Sequence, residues 1–213
     1  MSRRKLEPGE RVVLASHNAG KLEEIRARLA RHDIALLSTA EFSIDEPEEN
    51  GTTFAANAMI KADNAMKKSG LPALADDSGL EVAGLDGEPG IHSARWAGAA
   101  RDFAMAMRMV IARLEDRFGS FDRADKRAAF VATLCLAWPD GHREFFEGRV
   151  DGTLIATPRG TGGFGYDPIF VPDGETRTFA EMNRTEKAAL SHRARALHQL
   201  ITECVAAPST GHI

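Results

Sequence analysis

The feature that most constrains the fold is an apolar run past the middle of the chain. Residues 128–138 read Ala-Ala-Phe-Val-Ala-Thr-Leu-Cys-Leu-Ala-Trp, with one threonine as the only polar side chain. A near-continuous apolar run of this kind is typical of a strand that is covered on both faces of its sheet. Pro139, Asp140 and Gly141 then predict a turn, and residues 144–150 predict a strand that returns antiparallel. The fold must therefore cover both faces of a sheet.

The remaining patterns mix strands and helices without strict alternation. A buried strand is predicted over residues 11–16, a second short strand over 34–37, and short strand pieces over 74–75 and 80–82. Helical spacing of apolar residues predicts helices over residues 21–30, 52–69, 102–117 and about 185–206. Loops are predicted over residues 43–51, 84–98 and 160–168. This order predicts an α/β fold with a mixed β-sheet and flanking helices.

Length and charge limit the class of protein. A chain of 213 residues fits one domain, taken here as residues 1–213, or two small lobes that share a cleft. A net charge of -4 argues against a broad nucleic-acid surface, and no apolar run reaches membrane-spanning length. The start lacks the apolar segment of a signal peptide, and Cys135 and Cys204 are predicted to be buried thiols without metal-type spacing. We therefore expect a cytoplasmic protein with a small-molecule partner, binding neither nucleic acid nor membrane.

Two adjacent aspartates, Asp76 and Asp77, carry the clearest chemical signal. Like charges beside an apolar strand destabilise each other unless a cation or N–H donors compensate, and an N-cap would use only one of them. Using both indicates a metal site or catalysis, for which the acidic loop offers Glu49 as a second carboxylate. Lys61 lies close to the apolar stripe of its predicted helix. Snorkelling explains that position, and so does a lysine pointed into a cleft.

A strand-to-helix turn, Ser16 to Lys21, predicts a phosphate site. Free backbone N–H groups and the helix dipole attract anions at such a turn, and Lys21 adds a cation. The turn is not a P-loop, because Ala15 replaces the first glycine and Leu22 replaces the metal-binding Ser or Thr. A capped helix start explains the same residues.

A second glycine-rich segment, Gly160 to Gly165, matches the spacing G-x-G-x-x-G. An extended segment rather than a helix follows it, so a nicotinamide site is not expected. Phe164 and Tyr166 could stack on a base, or they could be core aromatics beside a tight turn. Farther along, Lys187 and Arg193 are donors suited to a phosphate or a base carbonyl.

Together these segments resemble the family of inosine triphosphate pyrophosphatases, also called dITP/XTP pyrophosphatases. The matching blocks begin at Leu14, Glu49, Asn57, Ala75, Gly90, Gly160 and Glu186. They occur in the order in which the family has them and cover nearly all of the chain. No single block is specific, whereas the combination is highly specific.

The resemblance implies an elongated mixed β-sheet with flanking helices, two lobes around a central cleft, and a homodimer. It also implies Mg²⁺-dependent cleavage of dITP, ITP and XTP to the monophosphate and pyrophosphate, which clears deaminated purines from the nucleotide pool. By position, Asp77, Asp76 and Lys61 are the catalytic residues, and Glu49 and Asp77 are the metal ligands. The substrate-binding residues are Ser16, His17, Asn18, Ala19, Gly20, Lys21, Ser78, Phe164, Gly165, Tyr166, Asp167, Lys187, His192 and Arg193. The resemblance leaves open whether Asp77 acts as the general base, as a metal ligand or as both.

Two alternatives stay open. A purine nucleotide sensor would keep the phosphate turn but would leave the aspartate pair without a task. A pyrophosphatase for other modified nucleotides, such as pyrimidines, would share the phosphate chemistry and differ in the base pocket. The Phe164 loop and the segment from Lys187 to Arg193 favour a purine.

Overall fold

The centre of the fold is a mixed sheet, seen in a computed structural model that describes residues 3–16, 25, 26 and 28–207. The strands found in those ranges are β1 (Arg11–Ala15), β2 (Ala35–Ser38), β3 (Ala73–Val82), β4 (Arg127–Ala137), β5 (Arg143–Leu154) and β6 (Phe170–Pro172). Their order is β2-β1-β3-β4-β5-β6. β1 pairs parallel with β2 and with β3, whereas β5 and β6 pair antiparallel. The predicted α/β class with a mixed sheet and flanking helices is confirmed.

Four α-helices lie wholly in the described part of the chain: α1 (Phe54–Ser69), α2 (Phe103–Phe118), α3 (Arg184–Leu190) and α4 (His192–Cys204). α1 begins two residues later than predicted because Thr53 is its N-cap, with Oγ1 accepting the N–H of Ala56 at 3.1 Å. Gly70 ends it in the left-handed conformation, at φ 70°. Of the predicted helix over residues 21–30, residues 25, 26, 28 and 29 are helical, and residues 21–24 and 27 lie outside the described residues.

The doubly covered strand predicted from the apolar run is confirmed in β4. Its side chains alternate between two hydrophobic cores: Leu134 and Leu136 pack into one, and Cys135 and Ala137 into the other. The N–H of Trp138 donates to the carbonyl oxygen of His142 at 2.9 Å and closes the predicted turn. Since five residues are too few for a crossover connection, β5 returns antiparallel beside β4.

Two predicted element boundaries are wrong. The pieces at 74–75 and 80–82 are one strand, β3, and the aspartates lie inside it rather than in a break. The predicted final helix is divided at Ser191, whose ψ of 147° is extended. The Ser191 hydroxyl accepts the N–H of Ala194 at 3.2 Å, so this residue caps α4 instead of continuing α3.

The chain divides into two compact units. Unit 1 comprises Met1–Asp77, Thr133–Glu147 and Ala196–Ile213. Its part of the sheet is covered by one core on each face. Unit 2 comprises Ser78–Ala132 and Gly148–Arg195, with one core that includes three neighbouring phenylalanines, Phe130, Phe170 and Phe179. The single-domain assignment and the arrangement of two lobes around a cleft stay predictions.

No helix within the described ranges combines the length and the hydrophobicity needed to cross a bilayer.

Candidate active site

One side of α1 in unit 1 carries a row of polar side chains. Asn57, Lys61 and Asn64 are spaced i, i+4 and i+7, so they lie on one helix face. The neighbouring stripe of Ala58, Ala62 and Ala65 is fully buried against the sheet. Because these alanines are small, the helix can approach the strands closely, and Asn57 and Lys61 reach Asp77 in the middle of β3.

Asp77 lies on the sheet face that α1 covers. Side chains alternate along a strand, so Asp77 shares a face with Ala73 and Ala75, which pack in the same core as the α1 alanines. Its Oδ1 atom is 3.5 Å from Nζ of Lys61, and Oε1 of Glu49 is 2.6 Å from the same nitrogen. Lys61 is only 7% exposed, so it does not snorkel to solvent. It is the shared cation of two carboxylates from distant segments.

Burial and charge set the protonation of this cluster. Burial raises the pKa of Asp77 above its usual range, and the charge of Glu49 adds to that effect, while Lys61 and a hydrogen bond from Asn57 oppose it. Burial alone would lower the pKa of Lys61, but the charges of Asp77, Asp76 and Glu49 outweigh it and raise that pKa. Lys61 is therefore charged at neutral pH, and Asp77 is a better proton acceptor than an exposed aspartate.

Asp76 points to the opposite face of β3 from Asp77, the face of Leu74. It is 2% exposed, and its charge acts on both Lys61 and Asp77. Ser16, at the end of β1, is 9% exposed. The rest of the predicted phosphate turn, namely His17, Asn18, Ala19, Gly20 and Lys21, lies outside the described residues.

The carboxylates of Glu49 and Asp77 in unit 1 suit a hard divalent cation whose other ligands are phosphate oxygens and water. The described residues contain no group of three or more His, Cys, Asp or Glu side chains that could hold a metal ion. Glu49 and Asp77 nevertheless meet at one ammonium group, so two carboxylates already face a common positive charge. Mg²⁺ is usually held by one or two carboxylates together with substrate phosphates and water, so this pair fits it.

Sequence reasoning did not single out Asn57 as a functional residue. It is fully buried, and its Nδ2 donates to Oδ2 of Asp77 at 3.1 Å. The available signal was its spacing of four residues from Lys61, which places both side chains on one helix face.

In unit 2, Asp167 organises the glycine-rich loop. It is 2% exposed, and its Oδ2 accepts the backbone N–H of Phe164 at 2.7 Å. The same oxygen forms an ion pair with Lys187. A Cβ atom on Gly163, at φ 70°, would lie 2.0 Å from this oxygen, so the loop requires glycine there for both space and conformation. Burial raises the pKa of Asp167, which Lys187 and Arg193 oppose.

Phe164 is the most exposed of the large apolar side chains in the described ranges, at 55%. Nζ of Lys187 lies 4.5 Å from the centre of its ring. An exposed aromatic face beside a cation is available to stack on a planar base. The neighbouring Gly165 is also left-handed, at φ 68°, which turns the chain away after Phe164.

The break before α4 places two further residues predicted to bind substrate. Nη2 of Arg193, in the first turn of α4, donates to Oγ of Ser78 at 3.3 Å, and both residues belong to unit 2. The ring of His192 stacks on Phe130, with centroids 5.1 Å apart and 11° between the planes. Both residues are buried, His192 at 5% exposed and Arg193 at 4%.

Tyr166 is part of the core. It is 2% exposed, and its hydroxyl donates to the carbonyl oxygen of Ser93 at 2.9 Å. Burial raises its pKa well above the usual tyrosine range, so the hydroxyl keeps its proton at every physiological pH. Its ring packs edge-on against Phe103, with centroids 5.7 Å apart. These contacts give Tyr166 a structural role in the core, and its substrate-binding role stays a prediction.

Comparison with known proteins identifies the family of the chain. The sequence profile of the Ham1 family matches residues 12–203. The chain belongs to the Ham1 family. All the residues named above from Ser16 to Arg193 lie inside the matched range, so the Ham1 match includes both side-chain clusters.

Individual Ham1 relatives are similar over almost their whole length. A dITP/XTP pyrophosphatase of Gluconobacter oxydans is 53% identical over 202 residues, which cover 95% of this chain and 94% of the relative. One of Zymomonas mobilis is 54% identical and covers 95% of each chain. The structure of a HAM1 protein from Coxiella burnetii superposes with a TM-score of 0.85 at 42% identity, covering 91% of this chain and 97% of that one.

Proposed function

We infer that this Ham1 protein hydrolyses the nucleoside triphosphates of deaminated purines, ITP, dITP and XTP, to the monophosphate and pyrophosphate. The observation that carries this conclusion is the buried cluster in which Lys61 joins Glu49 and Asp77. Such a cluster supplies a proton acceptor, a cation and two metal-binding carboxylates to phosphate chemistry. The names of the bacterial relatives, dITP/XTP pyrophosphatase, supply the substrate class.

In this proposal water attacks the α-phosphorus in line with departing pyrophosphate. Asp77 orients the water and accepts its proton. The Lys61 ammonium offsets charge on the phosphate oxygens. Lys21 adds a second cation from the turn that starts at Ser16. Glu49 and Asp77 would hold Mg²⁺, which when bound neutralises phosphate charge and lowers the pKa of water.

Selection of the base rests on the residues of unit 2. Phe164 stacks on the purine, and Arg193 or Lys187 donates to the carbonyl oxygen at its 6-position. Adenine carries an amino group at that position, so its hydrogen-bond donor would face the donor of Arg193 or Lys187. Both donors would then be buried without an acceptor. This rejects ATP. Hypoxanthine and xanthine both carry the accepted carbonyl, and so does guanine, whose exclusion must therefore come from its 2-amino group.

The sensor alternative explains less of the structure. Burying Asp77, Asp76 and Lys61 is costly, and a protein that only binds nucleotide has no use for a carboxylate of raised pKa. Our proposal also includes a homodimer that acts in the cytoplasm, as the resemblance implies.

The test is a substrate panel with product identification. Purified protein is given ITP, XTP, GTP and ATP with Mg²⁺ or with chelator, and pyrophosphate and orthophosphate are measured separately. We expect metal-dependent pyrophosphate from ITP and XTP and little from ATP or GTP. Orthophosphate as the first product would mean attack at the γ-phosphorus, and tight binding without turnover would mean a sensor.

A further inference from the structure

Asn57 joins the two segments that carry the carboxylates of unit 1. Its Nδ2 donates to Oδ2 of Asp77 in β3 at 3.1 Å, and its Oδ1 accepts the backbone N–H of Gly51 at 2.9 Å. Gly51 is two residues from Glu49 in the acidic loop. One fully buried amide thus uses both of its ends, one for the strand and one for the loop.

The loop is packed so closely on Asn57 that residue 51 has no room for a side chain. A Cβ atom there would lie 2.6 Å from Oδ1 of Asn57 and 2.8 Å from Cβ of Ala56. Gly51 is not among the residues with positive φ, so glycine is needed for space and not for backbone conformation. The contact between loop and amide therefore has little freedom to shift.

We propose that Asn57 is a positioning residue that sets the spacing of the Glu49 and Asp77 carboxylates for metal and substrate. Lys61 also touches both carboxylates, but its long side chain ends in a rotatable ammonium without fixed direction. The Asn57 amide is short and planar, and its two hydrogen bonds fix the direction of Oδ2 of Asp77 and the position of the loop that carries Glu49. The inference rests on the proposed function for the identity of the substrate, but not for the geometry.

A second asparagine on the same helix provides the matched control. Nδ2 of Asn64 donates to the carbonyl oxygen of Asp45 at 3.0 Å, so it also fastens the acidic loop to α1. This contact involves no carboxylate of the cluster. A role in holding the loop alone would make Asn57 and Asn64 equivalent, whereas a positioning role would not.

The experiment compares wild type with Asn57→Ala, Gly51→Ala and the control Asn64→Ala. Mn²⁺ affinity is measured without nucleotide by electron paramagnetic resonance, and kcat and KM are measured with ITP. Thermal unfolding of each variant shows whether it folds. Gly51→Ala keeps the asparagine at position 57, but its new Cβ atom shifts the Asn57 side chain. This variant therefore tests the proposal even if Asn57→Ala does not fold.

We expect Asn57→Ala and Gly51→Ala to weaken Mn²⁺ binding by about 10- to 100-fold and to lower kcat by a similar factor, with a smaller change in KM. Asn64→Ala should stay within about threefold of wild type. Lowered melting temperatures with unchanged Mn²⁺ affinity and kcat would overturn the proposal, and so would equal losses in all three variants. If wild type releases no pyrophosphate from ITP, the proposed function fails, while the Mn²⁺ comparison still decides the role of Asn57.

Discussion

Replacing Lys61 by methionine removes the cation that Glu49 and Asp77 share while keeping most of the side-chain volume. Lys61 and Asp77 are 7% and 8% exposed, so water cannot readily take the place of the lost charge. The variant leaves a buried Asp77 beside Glu49 and Asp76 without this partner. We predict a large loss of stability at neutral pH.

The distances give the size of that loss. At an effective dielectric constant of about 20, a unit-charge pair at 2.6 Å attracts by roughly 6 kcal/mol and one at 3.5 Å by roughly 5 kcal/mol. Desolvation of the three charges offsets much of this attraction, and the Glu49 side chain, 26% exposed, is partly screened. Removing one partner of a buried pair costs about 3–5 kcal/mol in practice, and we expect a value in that range.

The assay is urea unfolding of Lys61→Met and of a control, Lys67→Met. Lys67 lies on the same helix, and its side chain is 69% exposed, so its loss should cost less than about 1 kcal/mol. The raised pKa of Lys61 keeps its stabilisation present at pH 7. As pH falls toward the raised pKa of Asp77, that carboxyl takes up a proton in the folded variant, and the penalty of the substitution should shrink. Equal losses for the two variants at pH 7 would refute the buried cluster.

Three further predictions concern single side chains. Asp77→Asn should lower kcat with ITP by about 10²–10⁴-fold while ITP binding, followed by calorimetry, changes little; surviving turnover would exclude Asp77 as the base. Phe164→Ala should raise KM for ITP by about tenfold or more at unchanged melting temperature, because a stacking ring is lost from an exposed position; an unchanged KM would exclude stacking. Tyr166→Phe should lower the free energy of unfolding in urea by about 1–3 kcal/mol, since the Ser93 carbonyl loses its buried donor, and should leave KM for ITP unchanged. A raised KM would indicate that Tyr166 contacts the substrate.

Much of the fold follows from apolar patterns that need no knowledge of tertiary contacts. The apolar run over residues 128–138 predicts that β4 is buried on both faces, because a strand with a core on each face does not need polar side chains on one of them. The turn after it follows from proline and glycine. The break at Ser191 could not be read in the same way, since its capping bond competes with a helix pattern that continues across it.

The candidate site was predictable to the level of its charged residues. Two adjacent aspartates among apolar residues indicate a metal site or a catalytic site, because the repulsion between their charges must be compensated by a cation or by N–H donors. Their placement inside β3 was not predictable, since it depends on Lys61 arriving from another element to compensate Asp77. Asn57 was missed for a related reason: an uncharged amide in a helix gives no electrostatic signal until its two partners are known.

The central claim is that water cleaves the bond between the α- and β-phosphates at this cluster. Turnover of ITP in H₂¹⁸O, with mass analysis of both products, tests it most directly. We expect pyrophosphate without label and one ¹⁸O atom in the inosine monophosphate. Label in pyrophosphate would place the attack on the β-phosphorus, label in orthophosphate would place it on the γ-phosphorus, and either result would contradict attack at the α-phosphorus.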